Sequence, residues 1–440
     1  MTPGFRRKNA LLFVLITVAI NSVGFGIMIP VLPELIKSLT GLENNQAALH
    51  LGGMTFVFAV MQFVCMPIAG GLSDRYGRRP VMLFSVGALA LDYFLMALAP
   101  TLAILYLGRA ISGAFGATFS TANAYISDVS PPETRAQNFG LVGAVFGIGF
   151  ILGPVLGGWL GEFGPRVPFF AAGLICTLNF VYGLLVLPET HAPDKRRRFD
   201  LRRSNPFGSI RSLGRLKGVR PLLFVVFLLA VAHTVYPSTY TLSTQEALGW
   251  TPKDVGNSLG AFGLASLFVQ GYLIRIVVPK LGLFWPAAIG IASACLAYAI
   301  LGNAYQGWVV YAAGPFAALG GLYGPSLTNM MSTRVPDTEQ GELQGAIGAA
   351  QGVALMIGPL VLTGVFYLFA DRDTSIWYKP GAPFLLAAAL AAISFCVFLM
   401  MTDKTDQTAR VRQTRPSTSD DQTDNISSDA ALDVKDDRKG

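Results

Sequence analysis

Apolar runs long enough to cross a lipid bilayer alternate with short polar breaks along most of the chain. A hydrocarbon core of about 30 Å takes roughly 20 apolar residues in a helix. Runs of that kind cover approximately 10–36, 47–72, 79–99, 102–127, 137–161 and 167–188, then 220–245, 254–278, 283–303, 307–331, 342–369 and 382–401. Almost every gap holds charges, Pro-Gly punctuation or both, so the pattern predicts an all-α membrane protein with twelve transmembrane helices. The first run is too long for a signal peptide and lacks a small-residue cleavage site, so it reads as the first span. Beyond Met401 the chain is polar with no apolar periodicity, which predicts a disordered tail over 402–440.

Composition supports this reading. Of 440 residues, 52% are hydrophobic and 13% charged, with a mean hydropathy of +0.51. A soluble domain is roughly a quarter charged because its surface must be wetted. Most of this exterior must therefore face lipid, and the 48 glycines suit close packing of membrane helices. Cys65, Cys176, Cys295 and Cys396 lie singly in four apolar runs and read as reduced thiols. No metal-ligand spacing, nucleophile–base constellation or phosphate-cradling glycine loop is visible. The expectation is a non-enzyme without metal or cofactor, not powered by ATP.

Charge orients the spans. With a cytoplasmic N-terminus, 27 of the 33 lysines and arginines fall on the cytoplasmic side, Lys37, Arg166, Lys253, Arg372 and Lys379 fall on the other, and Arg109 lies inside a span. That asymmetry predicts both termini in the cytoplasm and a multi-pass protein of the cell's inner membrane. The run Lys195–Arg198 reads as a cytoplasmic loop against anionic lipid rather than a nucleic-acid patch.

Gly140, Gly153 and Pro154 recur as Gly345, Gly358 and Pro359, each at an offset of 205. Two six-helix halves joined by a basic loop give that repeat, with boundaries at 1–188, 189–219 for the loop, 220–401 and 402–440 for the tail. Halves packed about a central cavity are the architecture of alternating-access carriers.

The loop between spans two and three reads Gly70-Gly71-Leu72-Ser73-Asp74-Arg75-Tyr76-Gly77-Arg78-Arg79. It resembles the signature loop of the major facilitator superfamily. Asp74 is expected near the positive end of the following helix. Asp74, Arg75, Arg78 and Asp128 then form a candidate conformational latch, unless the arginines are only topology anchors. Span five carries Gly140, Gly149, Gly153, Pro154, Gly157 and Gly158. Their small faces suit close helix packing, and their spacing is similar to the pattern that marks antiporters of the superfamily. With Gly24, Gly26, Pro30 and Pro33 in span one, Gly108-Arg109 opening span four and Gln340-Gly341-Glu342 opening span eleven, the chain resembles the tetracycline-efflux branch. The resemblance implies the major facilitator fold, two halves in pseudo-two-fold symmetry, and proton-coupled drug antiport.

The departures fall on coupling groups. Where the branch has an aspartate in span one this chain has Asn21, and it lacks the span-eight histidine near Ala265 and the span-nine aspartate within 290–298. An amide cannot take up and release a proton near neutrality. Asp92 and His233 are the remaining proton-coupling candidates, since ionisable groups within spans are expensive to keep. Asp92 lies eight residues before Pro100 and Arg109 nine after it, which puts both about 12–14 Å from that turn on adjacent helices. They are expected to meet, as a coupling pair with Arg109 orienting Asp92 or a substrate anion, or as a permanent ion pair. His233 either titrates or makes an interhelical hydrogen bond. Asn21, Gln62, Asn123, Asn329, Gln344 and Gln351 are candidate cavity-lining residues, and Phe115, Tyr125 and Tyr236 are candidate stacking residues.

The leading expectation is a monomeric secondary transporter that exchanges protons for an amphipathic small molecule. The alternatives are a metabolite exporter or facilitator without proton coupling, and a non-transporting membrane receptor.

Overall fold

In hydrocarbon every backbone amide must be bonded within the protein, so long apolar runs fold as helices. The computed structural model describes residues 3–116, 118–191, 196, 217–373, 375 and 377–401, and no strand occurs among them. Most of the basic central loop and all of the tail from 402 lie outside the described residues.

The first half of the chain supplies α1 (Pro3–Thr40), α2 (Asn44–Tyr76), α3 (Arg78–Leu98), α4 (Leu102–Phe115), α5 (Thr118–Val129), α6 (Pro132–Gly161) and α7 (Val167–Val186). The second supplies α8 (Arg220–His233), α9 (Val235–Leu248), α10 (Pro252–Phe268), a π turn (Val269–Leu273) and α11 (Ile274–Leu281). It continues with α12 (Phe284–Gly302), α13 (Gly307–Gly320), α14 (Tyr323–Ser332), α15 (Gln340–Phe369) and α16 (Ala382–Met401). Among the described residues, ten helical stretches are long and apolar enough to cross a membrane. The fourth and tenth expected spans are each divided, α4–α5 and α13–α14, so neither qualifies on length. The breaks have local causes. Gly116 ends α4, and Gly320-Gly321 separates α13 from α14 just before Pro325, whose missing amide leaves the Gly321 carbonyl without its helical partner. In the same way Pro237 cannot bond the His233 carbonyl, and the helix breaks at Thr234.

One apolar core draws its buried residues from between Val219 and Phe398, with Ile29 of α1 packed against it, and another comes wholly from the first half, around Phe13, Met82 and Tyr125. The third is mainly first-half but takes in Leu242, Phe366 and Ala370. Two helices carry the junction. α6 packs on α1 and, across the halves, on α10; α15 packs on α8 and α9 and, across the halves, on α2. The repeated Gly-Pro pair sits in both: Gly153 and Pro154 face Gly26, while Gly358 faces Thr234.

The bonds that join the halves cluster at the end opposite the basic loops. Lys37 Nζ donates to Gln245 Oε1 (3.3 Å), Gln245 Nε2 to Glu34 Oε1 (2.8 Å), Asn44 Nδ2 to Glu246 Oε2 (2.9 Å) and Asn45 Nδ2 to Asp371 Oδ2 (3.2 Å). Lys253 pairs with Glu162 at 3.3 Å, and Trp159 Nε1 donates to Asn257 Oδ1 (2.9 Å). Toward the basic end, Gly140, Gly143 and Gly147 on α6 and Gly341 and Gly348 on α15 face open space.

Candidate functional site

Asp92 is fully enclosed on α3, the one buried carboxylate among the described residues. Ser112 Oγ on α4 donates to its Oδ2, and Oδ1 has no partner. A Cβ at Gly108 would fall 2.8 Å from Oδ1, so glycine makes room for the carboxyl group. Arg109 is buried beside this site but turns away: its guanidinium lies 4.5 Å over the Phe58 ring and Nη1 points at Met28 Sδ. The direct Asp92–Arg109 ion pair expected from their matched depth is not formed. The azimuth of Arg109 aims it at α1 and α2, and the Ser112 hydroxyl, one turn further along α4, takes its place.

His233, at the α8–α9 break, is exposed to an internal cavity of about 80 Å³ that Gln270, Ser266, Tyr298 and Tyr323 also line. Its ring meets Tyr236 edge-on at 5.4 Å. Tyr236 and Phe262 separate this chamber from a second one of about 220 Å³, bounded by Tyr240, Ser258 and Tyr311. The π turn presents Gln270 to the first chamber; such turns recur at functional sites because they re-aim side chains.

At the basic end Arg78 joins three helices. Nη1 donates to Asp74 Oδ1 (2.6 Å) and to Ser73 Oγ (3.0 Å), and Nε donates to Asp128 Oδ2 (3.2 Å). Arg75 stands outside this cluster, exposed, with its guanidinium 5.0 Å from the Tyr76 ring. The N-terminus of α3 is capped by Glu189 rather than by Asp74: its carboxylate accepts from the amides of Arg78 (2.9 Å) and Arg79 (3.2 Å). Negative charge suits that end of a helix. Gly77, at φ 107°, makes the turn that admits the Glu189 carboxylate, and a side chain there would strike it.

The span-five glycines form the α6–α1 contact. Cβ atoms at Gly149, Gly153 and Gly157 would lie 2.8, 2.6 and 2.5 Å from the carbonyl oxygens of Ala19, Val23 and Ile27. Pro154 and Gly158 face the other way as well, against Gly256 and Pro252 of α10. The stripe is thus shared between a contact within one half and the junction between halves.

The other polar candidates are dispersed. Asn21, Gln62 and Asn123 are half-buried on α1, α2 and α5, and Asn329, Gln344 and Gln351 are exposed. Asn329 lines a separate cavity of about 270 Å³ with Arg275 and Pro325, not the one holding His233. Of the three stacking candidates, Tyr236 borders both of the chambers it helps separate. Tyr125 is fully buried and donates to the Pro188 carbonyl at 2.8 Å, and Phe115 meets Phe84 edge-on at 5.2 Å.

Residues 14–359 match the family profile described as Major Facilitator Superfamily. The chain belongs to this superfamily. It is accordingly a multi-pass membrane protein, grouped with carriers rather than enzymes. Among its superfamily relatives, the class C tetracycline resistance protein of Escherichia coli is 35% identical over 381 residues, 87% of this chain and 96% of that one. The class G protein of Vibrio anguillarum is 34% identical over 395 residues, 90% of this chain and 100% of that one. The fold matches the crystal structure of the human organic anion transporter MFSD10 with a TM-score of 0.64 and 21% identity, covering 90% of this chain and 100% of the other.

Several site residues of this superfamily member escaped the sequence reading. Gln270, Tyr298 and Tyr323 sit in apolar runs where nothing marks a cavity wall. The Glu34, Gln245 and Glu246 group had a readable signal, polar side chains at span ends that two halves in register would bring together. Glu189 is a charge just past the end of a first-half span, and its partners are the α3 amides of the same half.

Proposed function

We propose that the protein is a secondary active transporter of the inner membrane, both termini cytoplasmic, that exports an amphipathic small molecule in exchange for protons. On this reading the twelve spans form two halves that rock about a central passage, and one chain suffices. The observation that carries it is the asymmetry of the junction. The polar network and the α6–α10 contact close the outer end, while the α6 and α15 glycines face open space at the basic end. That is the form of a carrier open to the cytoplasm. The likeness to tetracycline resistance proteins supports export of a drug-like molecule.

Asp92 is the proposed proton carrier. An enclosed carboxylate held by one hydroxyl exchanges its proton only when the helices around it part, which ties protonation to conformation. Arg109 contributes fixed positive charge nearby, and the Arg78 cluster is the proposed cytoplasmic latch.

A second reading, an uncoupled facilitator, has Asn21 and the acid-free walls around His233 in its favour. Proteoliposome flux separates the two. An antiporter moves substrate against its gradient when a pH difference is imposed and stops when a protonophore collapses it; a facilitator responds to neither. A protein that moves no substrate under any gradient would be neither.

A further inference from the structure

The chambers around Tyr236 have a chemistry of their own. They measure about 220 and 80 Å³, compact beside the roughly 300–1,000 Å³ usual for drug-sized ligands. Tyr236 stacks on Phe262 with centroids 5.5 Å apart and planes 15° from parallel, and meets Tyr298 at 5.7 Å. Tyr240, Tyr311 and Tyr323 extend the aromatic wall. Polar groups are the phenols, Ser258, Ser266, Gln270 and His233, and among the described residues neither chamber is lined by Asp, Glu, Lys or Arg.

That inventory selects its ligand. A divalent-metal chelate needs oxygen anions to replace lost water, and an organic anion needs a guanidinium or ammonium; neither is present. A quaternary cation is held by aromatic faces that converge on it, whereas here one face of Tyr236 is covered by Phe262 and His233 adds no negative charge. What remains is offset stacking for a flat ring system, with hydroxyl, amide and imidazole groups for neutral hydrogen bonds.

We propose that these two chambers, on either side of the Tyr236–Phe262 pair, together form the substrate site and take compact, planar, uncharged aromatic molecules bearing hydroxyl or carbonyl groups, in preference to organic cations and metal chelates. The assignment rests on the transport reading above and narrows its substrate class.

The test is equilibrium dialysis of the purified full-length chain in detergent, without any gradient. The probes are 2-naphthol, its cationic counterpart of similar size N-methylquinolinium, and magnesium-loaded tetracycline. Wild-type protein binds 2-naphthol at least about tenfold tighter than either of the others. Tyr236→Phe keeps the ring and changes 2-naphthol affinity by less than about threefold, while Tyr236→Leu weakens it about tenfold. Gln270→Glu supplies the missing carboxylate and raises N-methylquinolinium affinity about tenfold; a misfolded variant cannot imitate that gain. Equal or tighter binding of the cation or the chelate, no binding of 2-naphthol, or indifference to Tyr236→Leu overturns the proposal. Dialysis and gradient-driven flux fail separately. Proton-driven export of a cation without 2-naphthol binding removes this site and leaves the antiporter. The predicted binding pattern without any flux keeps the ligand class and removes the transport reading.

Discussion

A carboxylate sealed in the middle of a membrane protein with one oxygen unsatisfied is expensive, and Asp92 is such a group. If it carries the proton, Asp92→Asn retains shape and hydrogen bonding and removes only titration. Expected is loss of gradient-driven flux by at least about tenfold, with gradient-independent exchange retained; unchanged driven flux takes Asp92 out of the mechanism. Asn21→Asp tests the vacated coupling position on α1. Steeper pH dependence of transport is expected, and a flat response means that the passage no longer uses that position. The depth of Asp92 and Arg109 was legible in the chain from residue counts to Pro100. Their azimuth was not: whether Arg109 faces Asp92 or Phe58 depends on how α4 is rotated by packing, which one residue's position in an apolar run does not encode.

Among the helices, α6 carries the heaviest constraint, because one stripe of small residues serves α1 and α10 together. Gly158 abuts the Pro252 backbone, so Gly158→Leu wedges the halves apart at the outer end. Overpacking of this kind costs about 1–3 kcal/mol, and the strain is relieved by opening outward. The expected result is flux reduced at least about tenfold, together with faster labelling of Thr241→Cys, whose native hydroxyl donates to the Ile29 carbonyl across the junction, by a membrane-impermeant thiol reagent. Faster labelling without loss of flux would separate this contact from the cycle. The helices, their apolar runs and the glycine stripe were legible in sequence; the breaks at Thr234 and Gly321 were not anticipated, although Pro237 and Pro325 stand behind them in the chain. The π turn at Val269–Leu273 was not legible, because apolar side chains continue through it and only the backbone register changes.

Over the whole molecule, the 205-residue repeat already implied two units, and the structure uses the repeated Gly-Pro pairs on both helices that carry the junction. Which end is closed could not be read from the chain, since polar residues cap the spans at both. On the proposed orientation, the outer network of Glu34, Lys37, Gln245 and Glu246 must break, and the Arg78 end must close, each time a carrier of this form turns over. Spin labels on a cysteine-free background report this directly: one pair at the exposed Glu43 and Asp373, another at the exposed Glu133 and Asp337. Distances measured by electron–electron double resonance in lipid, across a pH series, should change in opposite senses, the outer pair lengthening as the inner pair shortens. Two distances that stay fixed, or that lengthen together, would contradict alternating access.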